Sequence, residues 1–277
     1  MKGIDEFKKT LKDDLEGLTK NGNLFYLDYS DFEEIQYPEV LNNMTGHAPI
    51  VLLKKDGTNY SPLGIYVEAK FGAHGENPKI KRRVFTPPKA DAPKYEQNIW
   101  RLAKMHVNVT DILFFQMFVH LGKAHLLSEP LAVSIYNNLI ATKRGENGTK
   151  KASNPLGTIM ASYARGLLGI NHLALITLVD DKQAFIDSVF VGGAAKLMEI
   201  AKDKMMVNFL LKEQSPHVDL TNRGFSQSDL KNKEFGYAYY STQLYDLING
   251  YMNNVVGHVY KSDADVKNDT DLKNMKD

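Results

Sequence analysis

The chain has 277 residues, 43% of them hydrophobic and 24% charged, with a formal net charge of +1. That profile excludes an intrinsically disordered chain, and it excludes the strong field that draws nucleic acid or an acidic membrane. The sequence contains no cysteine, which removes disulfides, thiolate metal sites and a cysteine nucleophile and fits a reducing compartment.

In Met1–Lys20 the apolar residues Ile4, Phe7, Leu11, Leu15 and Leu18 recur every three or four positions, the spacing of an amphipathic helix. The segment lacks the unbroken apolar core and small-residue cleavage site of a secretory signal, so a cytoplasmic location is expected. After the turn signal Asn21-Gly22-Asn23, three runs rich in strand formers follow, Leu24–Tyr29, Ile50–Leu53 and Leu63–Val67. Asp56-Gly57 marks a hairpin between the last two, and residues 24–67 are predicted to form a small antiparallel sheet. Phe71–Pro93 reads as an irregular surface loop. Its basic run Lys79–Arg83 has no interleaved aromatics and reads as a solvated face, not a nucleic-acid site.

From Gln97 to Tyr260 the pattern is helical. Ile112–Leu127 is apolar nearly all round, which predicts a helix buried at the centre of a bundle. It is too short for a membrane span and is interrupted by Gln116, His120, Lys123 and His125, so no transmembrane segment is expected. Leu131–Ile140 is a second helix with Pro130 in its first turn, Lys143–Ser153 a polar loop and Leu156–Val179 a third apolar helix. Gly192–Leu211 and Ser241–Tyr260 complete the helices, joined by a polar connector through Pro216 and Gly224. The tail Lys261–Asp277 is hydrophilic, with a short helix at most. The fold class is therefore mainly α with a small antiparallel sheet near the N-terminus, and no domain-scale linker divides it.

The unusual chemistry lies in the central helix. An imidazole buried without a partner costs a few kcal/mol, so His120 and His125 must each hydrogen-bond or bind something. Two readings stand: satisfied core histidines, or ligands of one cation. A regular α-helix sets positions five apart about 140° round from each other. A wider π turn brings them toward one face, and Gly122 between them eases that distortion. Imidazole suits iron, zinc or copper, and a redox iron acting on an apolar substrate fits so apolar a helix. Gln116, one turn before His120, is either a supporting amide for a ligand or a buried amide in a helix contact. His47, His74, His106, His172, His217 and His258 are expected to be solvated.

Trp100-Arg-Leu-Ala-Lys104, Asp111 and the run Gln116-Met-Phe-Val-His120-Leu-Gly-Lys-Ala-His125-Leu-Leu-Ser-Glu129-Pro130 are similar to the lipoxygenase signature. The resemblance continues through Asn154-Pro155, Arg165 and Ile170-Asn171. It extends back to Gly22–Tyr29 and Ala48–Leu53, and forward to Tyr260–Val266 in the form found in bacterial members. It implies a lipoxygenase-like helical bundle around a long buried helix, with no N-terminal PLAT β-barrel. It implies that His120 and His125 bind non-haem iron, that Gln116 supports them, and that Leu121 and Leu126 flank the substrate pentadiene. Ala174 falls where the family carries Ala or Gly, with Ala associated with S stereochemistry, and Leu178 falls on the oxygen path. The implied reaction is dioxygenation of a polyunsaturated fatty acid by O2.

The sequence also departs from the family. Phe115 stands where many members have His, Leu175 replaces the usual Arg, and Tyr239-Tyr240-Ser241 sits where an Arg-Asp-Asp-like element is usual. The family's third histidine, its Asn or equivalent and its terminal Ile carboxylate fall beyond the position matching Asp277. The resemblance therefore implies an incomplete iron site in these residues and weak or no activity from them alone, with a separate C-terminal half chain as one way to complete it. Two alternatives accompany that reading: a non-catalytic binder of a fatty acid or partner helix, and a two-histidine, one-carboxylate iron oxygenase using Glu129.

Overall fold

A computed structural model of the protein describes residues 3–36, 46–71, 79–140, 154–164, 166–180, 185–202 and 209–276. In chain order its elements begin with α1 (Ile4–Thr10), α2 (Leu15–Lys20), β1 (Leu24–Asp28), β2 (Ile50–Asp56), β3 (Asn59–Phe71), β4 (Lys79–Phe85) and α3 (Lys94–Phe114). There follow α4 (Ser128–Ile135), α5 (Pro155–Ala164), α6 (Leu167–Ala174), α7 (Phe185–Val189) and α8 (Gly193–Ala201). The last are α9 (Pro216–Asn222), α10 (Gln227–Leu230), α11 (Gly236–Val259), α12 (Asp263–Asn268) and α13 (Thr270–Lys276). They group into two units, Met1–Gly122 with Leu178–Asn208 and Lys123–Thr177 with Phe209–Asp277.

The first unit is built on an antiparallel sheet of order β1-β2-β3-β4. Asp56 lies opposite Asn59, so the hairpin loop is Gly57-Thr58, with Gly57 at φ 59° where glycine meets no steric penalty. The register shifts between Leu52 and Leu53, beside Pro62, whose missing N–H is tolerated at such an irregularity. Successive residues go to opposite faces, as the pleat demands. Ile50, Leu52 and Tyr66 pack with Phe7 and Leu15, whereas Val51, Ile65 and Val67 pack with Trp100 and Ala103. The apolar positions expected of one N-terminal helix serve this first face, but from two helices. The chain breaks before Leu15, where the Asp14 side chain accepts the Gly17 N–H at 2.8 Å.

The basic run forms β4 instead of the expected loop. The register sets Arg82 across from Glu68, which is only 3% exposed. Arg82 Nε donates to Glu68 Oε2 at 2.9 Å and the Tyr66 hydroxyl donates to the same oxygen at 3.1 Å. A buried carboxylate without partners would cost several kcal/mol. The run's positive charge therefore has a structural use.

α3 continues without interruption into a π-helical segment, Phe115–Leu126. Leu113, Met117 and Phe118 of this rod enter a core with Phe32, Ile186, Leu197 and Ile200, and the Phe32 and Phe118 rings stack with centroids 5.1 Å apart. The rod is not buried all round. Ile112 and Phe115 are 55% and 53% exposed. Apolar composition states what could be buried; among the described residues one face of the rod meets a core.

In the second unit α4 runs into a π segment, Tyr136–Ile140, with Pro130 near its start as predicted. The stretch expected as one helix over Leu156–Val179 is divided. Gly166 adopts φ 84° between α5 and α6, and a further π segment covers Leu175–Val179. By length and composition Pro155–Val179 is apolar enough to cross a membrane, and the left-handed glycine interrupts it. A Cβ on Gly157 would collide with the backbone of Leu139, so glycine there permits close helix approach. Buried Asn154 accepts the Leu156 N–H at 2.9 Å and donates to Asp269 at 3.0 Å, and Tyr260 donates to the same carboxylate oxygen at 2.6 Å. That tie holds the tail, which forms two short helices where one at most was expected. The polar connector likewise contains α9 and α10, each started by a serine cap, Ser215 and Ser226. The predicted loop Lys143–Ser153 lies outside the described residues, as do His74 and Arg165.

Candidate functional site

His125 is partly buried near the C-terminal end of the π segment, and its ring is held by Asn171 of α6. The Asn171 side chain is 2% exposed and makes three bonds. Its two amide hydrogens go to the His125 carbonyl oxygen at 3.1 Å and to Glu129 Oε2 at 2.8 Å. Both of those partners are acceptors, so the amide can have only one orientation. Its Oδ1 must therefore face the imidazole, and His125 Nδ1–H donates to it at 2.8 Å. In the neutral ring this places the lone pair on Nε2, the nitrogen a metal would use. Ser128 adds a donor to the same His125 carbonyl at 2.9 Å.

His120, expected to be buried, is exposed and has a local partner. Its Nδ1 lies 3.0 Å from Gln116 Oε1, four residues back in the same segment. With that oxygen accepting, this imidazole also has its lone pair on Nε2. The two histidines stand five residues apart within a helical stretch of the π type, whose backbone bonds run i to i+5. The distortion predicted from their spacing is present.

Glu129, the alternative ligand, is tied by one carboxylate oxygen to Asn171. Leu121 packs partly buried against the first unit's core, Leu126 and Ala174 are half-buried, and Leu178 is 39% exposed. Among the described residues no group of three His, Cys, Asp or Glu side chains is placed to hold a metal ion. Asn171 was legible in the sequence only as part of a motif. It lies 46 residues from His125, so no local spacing signals their pairing. A second motif pair behaves the same way: the Tyr29 hydroxyl donates to Asp111 Oδ1 at 2.6 Å, and burial followed by that carboxylate pushes the Tyr29 pKa up.

Two of the histidines expected to be solvated are not. His47 and His106 are half-buried, with rings edge to face at 4.3 Å. Burial, then the neighbouring His106, pushes the His47 pKa down to about 4, and burial lowers His106. Among the described residues His47 Nδ1 has no hydrogen-bond partner. His217 and His258 are at the surface as expected, on Asp246 and the Asn254 carbonyl, and His172 is exposed.

The sequence profile of the family described as Lipoxygenase matches residues 7–276. The chain is similar to seed linoleate 9S-lipoxygenase-3 of Pisum sativum, at 26% identity over 96% of this chain and 30% of that protein. It is 26% identical to linoleate 9S-lipoxygenase-4 of Glycine max, over 96% of this chain and 31% of that one. The epidermal-type polyunsaturated fatty acid (12S)/(13S)-lipoxygenase of Rattus norvegicus is 27% identical, over 98% of this chain and 36% of its own length. The chain thus spans about a third of the length of these relatives.

Proposed function

The chain belongs to the lipoxygenase family, and from that premise we propose that it supplies two imidazole ligands, His120 and His125, to the non-haem iron of a polyunsaturated fatty acid dioxygenase. The observation that carries this is the orientation of Asn171, which fixes His125 with its metal-binding nitrogen as Nε2. The donor chemistry fits iron, since neutral imidazole is among its preferred ligands and each ring is oriented by an amide. Iron, when bound, supplies the redox chemistry that oxygenating such a substrate requires. The protein's own part is to hold and orient. Asn171 and Gln116 set the two rings, Glu129 and Ser128 secure Asn171 and the His125 carbonyl, and Leu121, Leu126, Ala174 and Leu178 stand at the family's substrate and oxygen positions.

Sites of this kind use at least three protein ligands. Residues 1–277 by themselves are therefore expected to retain iron at well below one equivalent and to show little linoleate-dependent oxygen uptake, with a further polypeptide segment needed to complete the site. Metal analysis of the purified chain, with oxygen-electrode rates after Fe(II) addition, tests this. Full occupancy together with rates like those of an intact family member would defeat it. Glu129→Gln separates the carboxylate alternative: unchanged residual iron leaves Glu129 as a support for Asn171, and complete loss makes it a ligand. A second reading, a fatty-acid binder without iron, is favoured by the exposed apolar residues Ile170, Leu173 and Ile176 of the second unit. Co-purifying fatty acid in metal-free protein would select it.

A further inference from the structure

α11 carries a surface that the iron chemistry does not use. On this helix Tyr237, Tyr240, Leu244, Leu247, Ile248 and Tyr251 are 73%, 64%, 58%, 71%, 51% and 54% exposed. At 3.6 residues per turn they fall within about 100° of one another, and five of them follow the alternating three-and-four spacing of a coiled-coil seam. Ala238 and Thr242, the residues α11 buries, lie well round from that stripe. Asp246, the only carboxylate in Gly236–Val259, is turned away as well and is engaged by His217 Nε2 at 2.8 Å. No ionised side chain on the stripe would have to be desolvated or would repel a like-charged partner.

The stripe is also a palindrome. Tyr240-x3-Leu244-x2-Leu247-x3-Tyr251 reads the same in both directions. We propose that α11 is a self-association surface, on which a second copy of this chain docks its own α11 in antiparallel orientation. In that register Leu244 of each copy meets Leu247 of the other, Tyr240 meets Tyr251, and Tyr237 at the edge meets Asn254. This is the isologous contact that a two-fold dimer requires, the same patch facing itself. The six side chains expose on the order of 700 Å², close to the roughly 800 Å² that each partner gives to an interface of standard size. The proposal does not depend on iron or substrate binding.

Sedimentation of the full chain from nanomolar to high micromolar concentration is expected to show a monomer–dimer equilibrium. The double variant Leu244→Glu/Leu247→Glu should weaken it at least 100-fold with an unchanged helical circular-dichroism spectrum. Because the chain has no cysteine of its own, orientation can be read separately from folding. A mixture of Leu244→Cys and Leu247→Cys proteins should form the mixed disulfide faster than either protein alone forms its own. A chain that stays monomeric overturns the proposal, as does a dimer insensitive to the double variant or fastest cross-linking by Leu244→Cys alone. Capture of the stripe by phosphatidylcholine vesicles or by a different polypeptide, with no self-association, would overturn it too.

Discussion

One amide decides how the candidate ligand is presented. Asn171 is worth more than its three hydrogen bonds, because its two donors are committed to acceptors and its oxygen is thereby forced toward His125. Asn171→Ala removes the constraint and leaves a partly buried imidazole N–H and the Glu129 carboxylate short of a partner. A stability loss of about 1–3 kcal/mol is expected, with metal affinity falling about 10–100-fold. Asn171→Asp should not rescue it. The aspartate keeps an acceptor for His125 but offers no donor and sets a second carboxylate beside Glu129. Urea unfolding and Co(II) titration of the three proteins would check this, and equal metal affinity for wild type and Asn171→Asp would refute the orienting role.

At the scale of elements, the division of the stretch predicted as one apolar helix sets apart two glycines that look alike in sequence. Gly157 sits against the Leu139 backbone, whereas Gly169 has open space where a Cβ would stand. Gly157→Ala is expected to destabilise by about 1–3 kcal/mol through overpacking. Gly169→Ala, inside α6 and free of contact, should stabilise by roughly 0.5–1 kcal/mol through helix propensity. Opposite shifts in the urea midpoint would bear this out; two shifts of one sign would not. The same contrast explains what the sequence disclosed. β1 to β3 and the π segment were legible because alternation, a turn dipeptide and a five-residue histidine spacing are local signals. β4 was not, since the partner that neutralises Arg82, Glu68, lies 14 residues away across the sheet. Nor was the contact of His47 with His106, which joins distant parts of the chain. The rod around Ile112 and Phe115 was misjudged because an apolar helix is buried only where another surface meets it.

For the molecule as a whole, the two units should respond differently to acid. Within the first, His47 is held below its ordinary value of 6.5, at about 4, and His106 is lowered in the same direction. Between those two pH values the unfolded chain takes up a proton at His47 that the folded chain does not. Stability therefore falls as pH drops from 6.5 toward 4 and levels off below that. After discounting for partial exposure, the loss is on the order of 1–2 kcal/mol. In the second unit hydrogen bonds from the Lys261 and Ser262 amides lower Asp265, and Asp269 is lowered as well, where burial opposes the shift and hydrogen bonds from Tyr260, the Leu272 and Asp271 amides and Asn154 outweigh it. Their contributions are lost only as pH falls through values under the usual 3.8, outside the histidine window. The single tryptophan, Trp100, is buried against the sheet of the first unit and so reports on that unit. Its fluorescence midpoint in urea is expected to decline between pH 6.5 and 4. His47→Phe should flatten that decline without cost at neutral pH, because the imidazole Nδ1 it removes has no partner among the described residues. A variant that tracks the wild type across this window would mean that the paired rings do not set the acid sensitivity of the unit.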